Sequence, residues 1–212
     1  MPTVPVLVDG LASVFGFERT KAKSLSRYMR EADLLTSGAR GVNAPEATAR
    51  DAVRIVLAMM LDTSLASVAA DVKLFGSLKP VNAEKFSDAF APTTLEDAMV
   101  VIVEEFMRRS ADDVKTFTAS VRLVPYIITA TVKIGYIWDA RDGERGDEFG
   151  IMEKTKSIEF CHPAVDDITE ADLAPVYHRD SARFPRRFWQ APELHANELA
   201  MIGAIVSGKI AF

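Results

Sequence analysis

The feature that most limits the fold is a change of period partway along the chain. As far as Arg109 the apolar residues recur at the three- and four-residue spacing of helices, whereas from Phe117 to Phe160 apolar and polar residues alternate. Helices are therefore expected first and strands after, which makes the fold class α+β with an antiparallel sheet. Phe117 to Val124 and Tyr126 to Trp138 are rich in Val, Ile, Thr and aromatics. In the second run Ile128, Ala130, Val132, Ile134, Tyr136 and Trp138 share one face, opposite Ile127, Thr129, Thr131, Lys133 and Gly135. A charged loop, Ala140 to Asp147, leads to a third strand over Glu148 to Phe160. About three strands with one apolar face need a cover. The final helix, expected over about 192–207 with Leu194, Leu199, Ile202, Ile205 and Val206 in one stripe and Gly208 at its end, supplies it.

Five helices are expected before the strands. The first runs from Val4 or Pro5 to Phe15 and the second from about Arg19 to Ala32. Between them the spacing of Leu11 to Tyr28 is that of a tight helical hairpin. Ala12 is small where the helices touch, and Gly16 tolerates positive φ at the turn. Leu11, Phe15, Phe17, Ala22 and Leu25 point into the wedge, and Tyr28, Met29 and Ala32 continue the stripe of the second helix. Arg19, Lys21, Lys23 and Arg27 are left facing outward. Thr36 to Pro45, with Gly38 and Gly41 flanking Ala39 and Arg40, fits either a small β-hairpin with Arg40 at its tip or a plain glycine-rich connector.

Asn43 is the expected N-cap of a third helix, with Pro45 and Glu46 in its first turn, running to Leu61. A fourth is expected from Ser64 to about Phe75, ended by Gly76. Weak periodicity over 76–93 sets the expected boundary between a helical domain, 1–78, and an α+β domain, 79–212. The fifth helix, 94–109, opens on a capping box of Thr93 with Glu96, and Glu104 and Glu105 precede Arg108 and Arg109 by four. Leu95, Met99, Ile102, Val103 and Phe106 form its stripe, while Val100 and Val101 lie elsewhere on its circumference. A helix apolar on most sides is a central buried helix or packs on a second copy, so this one is the candidate for a homo-oligomer contact.

With 49% hydrophobic and 26% charged residues in 212, the composition is that of a soluble globular protein. No apolar run reaches the length needed to span a bilayer and no signal core opens the chain, so a cytoplasmic protein without a membrane partner is expected. The single Cys161 excludes an internal disulfide. Overall the chain is acidic, but residues 1–80 hold 10 Lys/Arg against 8 Asp/Glu, and residues 81–212 hold 15 against 22. A nucleic-acid partner would therefore meet one face of the N-terminal part.

Catalytic and cofactor signatures are missing from the sequence: there is no glycine-rich phosphate loop, HExxH helix or GxSxG elbow. Cys161 and His162, as neighbours in a strand, would point to opposite faces. His162, His178 and His195 show no helical i, i+4 spacing that would tie two of them to a metal with Asp166 or Asp180. The pairs Asp112–Asp113 and Asp166–Asp167 fit solvated caps better than a cation site. No enzyme, cofactor or metal is thus expected. Arg183, Arg186 and Arg187 interleave with Phe184, Phe188 and Trp189. That segment suits stacking of the arginines on the aromatics as a structural anchor, with contact to a nucleic acid or a protein partner as the other readings.

The spacing of Leu11, Ala12, Gly16, Phe17 and Leu25 resembles the helix-turn-helix of bacterial and phage DNA-binding proteins, and the run from Arg27 through Leu35 to Gly41 resembles the passage from recognition helix to wing in winged-helix members. The likeness covers about residues 4–61. It implies a double-stranded DNA partner, with Lys21, Lys23 and Arg27 on phosphates, Arg19, Thr20 and Ser24 toward base edges, and Arg40 on the backbone or minor groove. The resemblance thus points to a non-enzymatic transcription regulator of bacterial or phage origin. A helical head, a buried middle helix and a β-containing tail also look like phage small terminase subunits, which are ring-forming. The alternatives are such a structural or assembly protein and an interaction module acting through the acidic C-terminal part.

Overall fold

In the structure, a computed structural model, residues 2–38, 45–81, 91–109, 117–139, 151–162 and 192–210 are described. Helix α1 spans Val4–Val14, with Pro5 in the first turn, where a missing N–H costs no helical hydrogen bond. Gly16 at φ +60° turns the chain, and the Phe17 amide donates back to the Ala12 carbonyl at 2.9 Å. Helix α2, Arg19–Glu31, then packs across α1 through the buried Ala22, Leu25, Ser26 and Met29. Tyr28 does not join that stripe: it is 42% exposed, since Ser26 takes the inward position one turn before Met29.

Helix α3 spans Ala49–Leu61, and its N-cap is Thr48, not Asn43. Thr48 and Asp51 satisfy each other's backbone N–H groups in a capping box, so the helix opens there. Pro45 and Glu46 precede it, and Glu46 makes an isolated bridge with Thr3. Helix α4 spans Val68–Gly76; Ser64–Ser67 forms a turn held by its own hydroxyls rather than the start of the helix. Gly76 is not left-handed. A Cβ there would stand 3.0 Å from Glu96 Oε2, so Gly76 admits a carboxylate from the next helix.

Helix α5 spans Leu95–Arg108, and the cap is one residue on from the expected pair: the Thr94 hydroxyl accepts from the Asp97 amide. That shift frees Glu96, which is buried and faces α3. Leu95, Ala98, Met99, Ile102, Val103 and Phe106 of α5 are covered within the chain by α3, α4 and helix α6, Ala196–Val206, whereas Val101 stays 37% exposed. Gly203 makes the α5–α6 contact close, since a Cβ there would lie 2.9 Å from Phe106 Cβ.

The sheet is antiparallel in the order β1-β4-β3-β2-β5, with β1 Lys79–Pro80, β2 Phe117–Val124, β3 Thr129–Asp139, β4 Ile151–Cys161 and β5 Glu193–Leu194. The three central strands are those the alternation predicts. The outer two have two residues each, too short to show a period. Pro125–Ile127 form a 3-10 turn and Ile128 takes a left-handed φ of +47°, so β3 starts at Thr129 instead of Tyr126. Phe117, Ala119, Val121, Leu123, Ala130, Val132, Ile158 and Phe160 are buried on the helix side. Thr118, Ser120, Arg122, Thr131, Lys133, Thr155, Ser157 and Glu159 occupy the other face.

The class is thus α+β, with α6 and α5 against the inner face of the sheet. One buried apolar cluster runs from Val4 in α1 to Val206 in α6, across the boundary expected at residue 78. No helix among the described residues is long and apolar enough to cross a membrane.

Candidate nucleic-acid interface

The hairpin buries one side of α2 and leaves the other open. Its contacts are with α1, α3 and α4, on the side of Ala22, Leu25, Ser26 and Met29. Thr20, Lys23, Arg27 and Arg30 recur at helical spacing on the opposite side, and all four are exposed, as is Arg19 in the first turn. Neither the sheet nor α5 or α6 makes an extensive contact with α2.

The N-terminus of α2, like that of α1, has neither a side-chain cap nor an acidic residue in its first turn. α3 and α5 each open on a threonine whose hydroxyl accepts a helical amide, but Glu18, the N-cap of α2, makes no side-chain cap and the first turn holds no acidic residue. The N-terminal amides and the positive end of the helix dipole are therefore left without a carboxylate inside the helix. Arg19 adds a cation there and makes no ion pair among the described residues.

Other cations of α2 are compensated. Lys23 Nζ lies 3.1 Å from Asp9 Oδ1 on α1, a charge contact without hydrogen-bond alignment. Arg27 donates to Glu31 one turn on at 2.8 Å, and this hydrogen bond with the carboxylate charge raises the guanidinium pKa above its ordinary value. Lys21 pairs with Asp62, the left-handed C-cap of α3, and lies 5.3 Å from the centre of the Phe17 ring. Lys21 is thus on the flank of the hairpin, half-buried, and less outward than expected. Ser24 is also half-buried, its hydroxyl donating to the Thr20 carbonyl at 3.0 Å. Of the expected site, then, Arg19, Thr20, Lys23 and Arg27 share the exposed side, with Lys21 and Ser24 beside it.

Local spacing already contains the Arg27–Glu31 pair and Arg30. The acidic partners Asp9 and Asp62 come from other helices, which no spacing within 19–31 could reveal. Arg40 and Arg183, Arg186, Arg187 and Trp189 lie outside the described residues, as does most of the expected wing hairpin.

The segment leaving α2 is fixed by α3. Thr36 donates to Asp51 twice, from its amide at 2.7 Å and its hydroxyl at 2.8 Å, and Arg54 Nη1 donates to the Leu34 carbonyl at 2.7 Å. Arg54 also holds Glu96 of α5 through two bonds of 3.0 and 2.9 Å. Arg50 reaches both Glu96 and, at 3.0 Å, Asp97. Burial lowers the Arg50 pKa, yet its bonds to Asp97 and Glu96 outweigh that and raise it. A chain of charged contacts thereby ties the end of α2 to α5.

Cys161 is half-buried at the end of β4 and His162 is buried just beyond it. His195 is the N-cap residue of α6. Among the described residues no three His, Cys, Asp or Glu side chains group as metal ligands would. No protein-family model matches the chain, and neither does any curated protein or solved structure.

Proposed function

We propose that the chain is a non-enzymatic protein that binds double-stranded DNA through the outward side of α2, as a regulator of transcription of bacterial or phage origin, working as a homo-oligomer. The observation that carries this reading is the open side of α2, with Arg19, Thr20, Lys23, Arg27 and Arg30 exposed and an N-terminus that lacks a capping side chain. In this account Lys21, Lys23 and Arg27 hold phosphates, Arg19, Thr20 and Ser24 approach base edges, and Arg40 follows as part of a wing. Asp9, Asp62 and Glu31 compete with phosphate for three of these cations, so affinity for random duplex is modest and rises steeply as salt is lowered.

Titration of random-sequence duplex tests it. With three phosphate contacts, binding weakens roughly 40-fold between about 50 and about 200 mM salt. The double variant Lys23→Ala, Arg27→Ala keeps one contact, and its affinity changes only about 3- to 4-fold over that range. An unaltered affinity and salt slope in the double variant would reject the assignment.

A second reading, a structural or assembly protein whose hairpin packs on protein, is favoured by Tyr28 at 42% and Val6 at 46% exposure on the two hairpin helices. Light scattering separates them: a large ring without duplex affinity supports assembly, and a small oligomer that binds duplex supports regulation.

A further inference from the structure

Where β2 meets the start of α6, a cleft of about 260 Å³ opens between β2, β3, β4 and the first residues of α6, taking in outer-face residues of the sheet. Its lining includes Thr118 and Ser120 of β2, Lys133 of β3, Thr155 of β4, and His195 and Asn197 of α6. Ser120 and Lys133 are cross-strand neighbours in the β2–β3 register. Among the described residues no carboxylate lines the cleft. Glu193 of β5 stands opposite Arg122 in the sheet register. The side chains of Thr118, Ser120, Lys133 and Asn197 make no hydrogen bond or ion pair within the described residues. Four donors, one of them a full positive charge, therefore converge on one concave site with their hydrogen-bonding capacity unused.

We infer that this cleft binds a small phosphate-bearing ligand. An ammonium is a point charge with three donors and suits a tetrahedral oxyanion, to which hydroxyls and an amide can add bonds from other directions. A planar carboxylate would be better matched by an arginine fork, and no arginine among the described residues lines the cleft. The volume lies just under the range of about 300–1,000 Å³ usual for ligand pockets, which limits the occupant to a phosphate monoester of small size or to phosphate itself. The inference stands apart from the DNA reading, because the cleft and α2 share no residue.

The test is a titration of the isotope-labelled full chain, at constant ionic strength, with inorganic phosphate, glucose 6-phosphate and sodium acetate, followed by amide resonances. Saturable shifts at Ser120, Lys133 and Asn197 with phosphate or the ester, weakened at least fivefold by Lys133→Ala and by Ser120→Ala but unchanged by Lys79→Ala, are expected. Tighter binding of the ester than of phosphate assigns an organic ligand, and equal binding assigns the free anion. Shifts that do not saturate, that acetate reproduces, or that survive Lys133→Ala overturn the proposal.

Discussion

At the scale of single residues, Asp97 shows how one carboxylate serves three donors. It accepts the hydroxyls of Thr93 at 2.7 Å and Thr94 at 2.9 Å and a bond from Arg50 at 3.0 Å. Burial alone would raise its pKa, but these donors outweigh burial and hold it below the ordinary carboxylate value. Because the folded value is the lower one, the stabilisation is complete above about pH 4, the unfolded value, and is lost as the pH falls through the folded value. Asp97→Asn should therefore flatten the acid limb of a stability curve below about pH 4 and leave little difference in slope at pH 7, as chemical unfolding at a series of pH values would reveal. A mutant whose acid limb matches wild type would remove Asp97 from this role. Single residues are also where the sequence misleads most. On paper Thr93–Glu96 is the pair that fits the capping pattern, while the fold uses Thr94–Asp97. The second wins because Glu96 is drawn to Arg54 and Arg50, residues more than forty positions away that the local pattern does not contain.

At the scale of elements, the helices and central strands follow from period, and their junctions follow from packing. α1, α2, α5 and the three long strands lie where apolar spacing puts them. β1 and β5 could not be read, because two residues carry no alternation; they exist because their backbones find β4 and β2. Gly203 is a similar case: in the sequence it interrupts a helix, and in the fold it brings α6 against the backbone of α5 at Phe106 and Met107. Gly203→Ala would place a methyl within 3.1 Å of the Met107 amide nitrogen, so the two helices must separate. The expected cost is about 1–3 kcal/mol, measured as a lower denaturation midpoint, despite the better helix propensity of alanine. A more stable Gly203→Ala protein would mean that the α5–α6 contact is looser than described.

At the scale of the whole molecule, the hairpin is not an appendage. Its inner residues belong to the core that also holds α5, α6 and the sheet, and Arg54 links the end of α2 to Glu96. The rigid side of α2 is thereby fixed and its cationic side is presented outward. The charge balance of this side was only partly legible. The basic residues and the hairpin turn were in the sequence, whereas the carboxylates of Asp9 and Asp62 that temper them arrive through tertiary contact. The most direct test is lysine footprinting: limited acetylation of the chain with and without saturating duplex at low salt, read peptide by peptide. Protection of Lys21 and Lys23 by duplex, with Lys79 and Lys133 equally reactive in both samples, is the predicted result. Undiminished reactivity of Lys23 in the presence of bound duplex would contradict it.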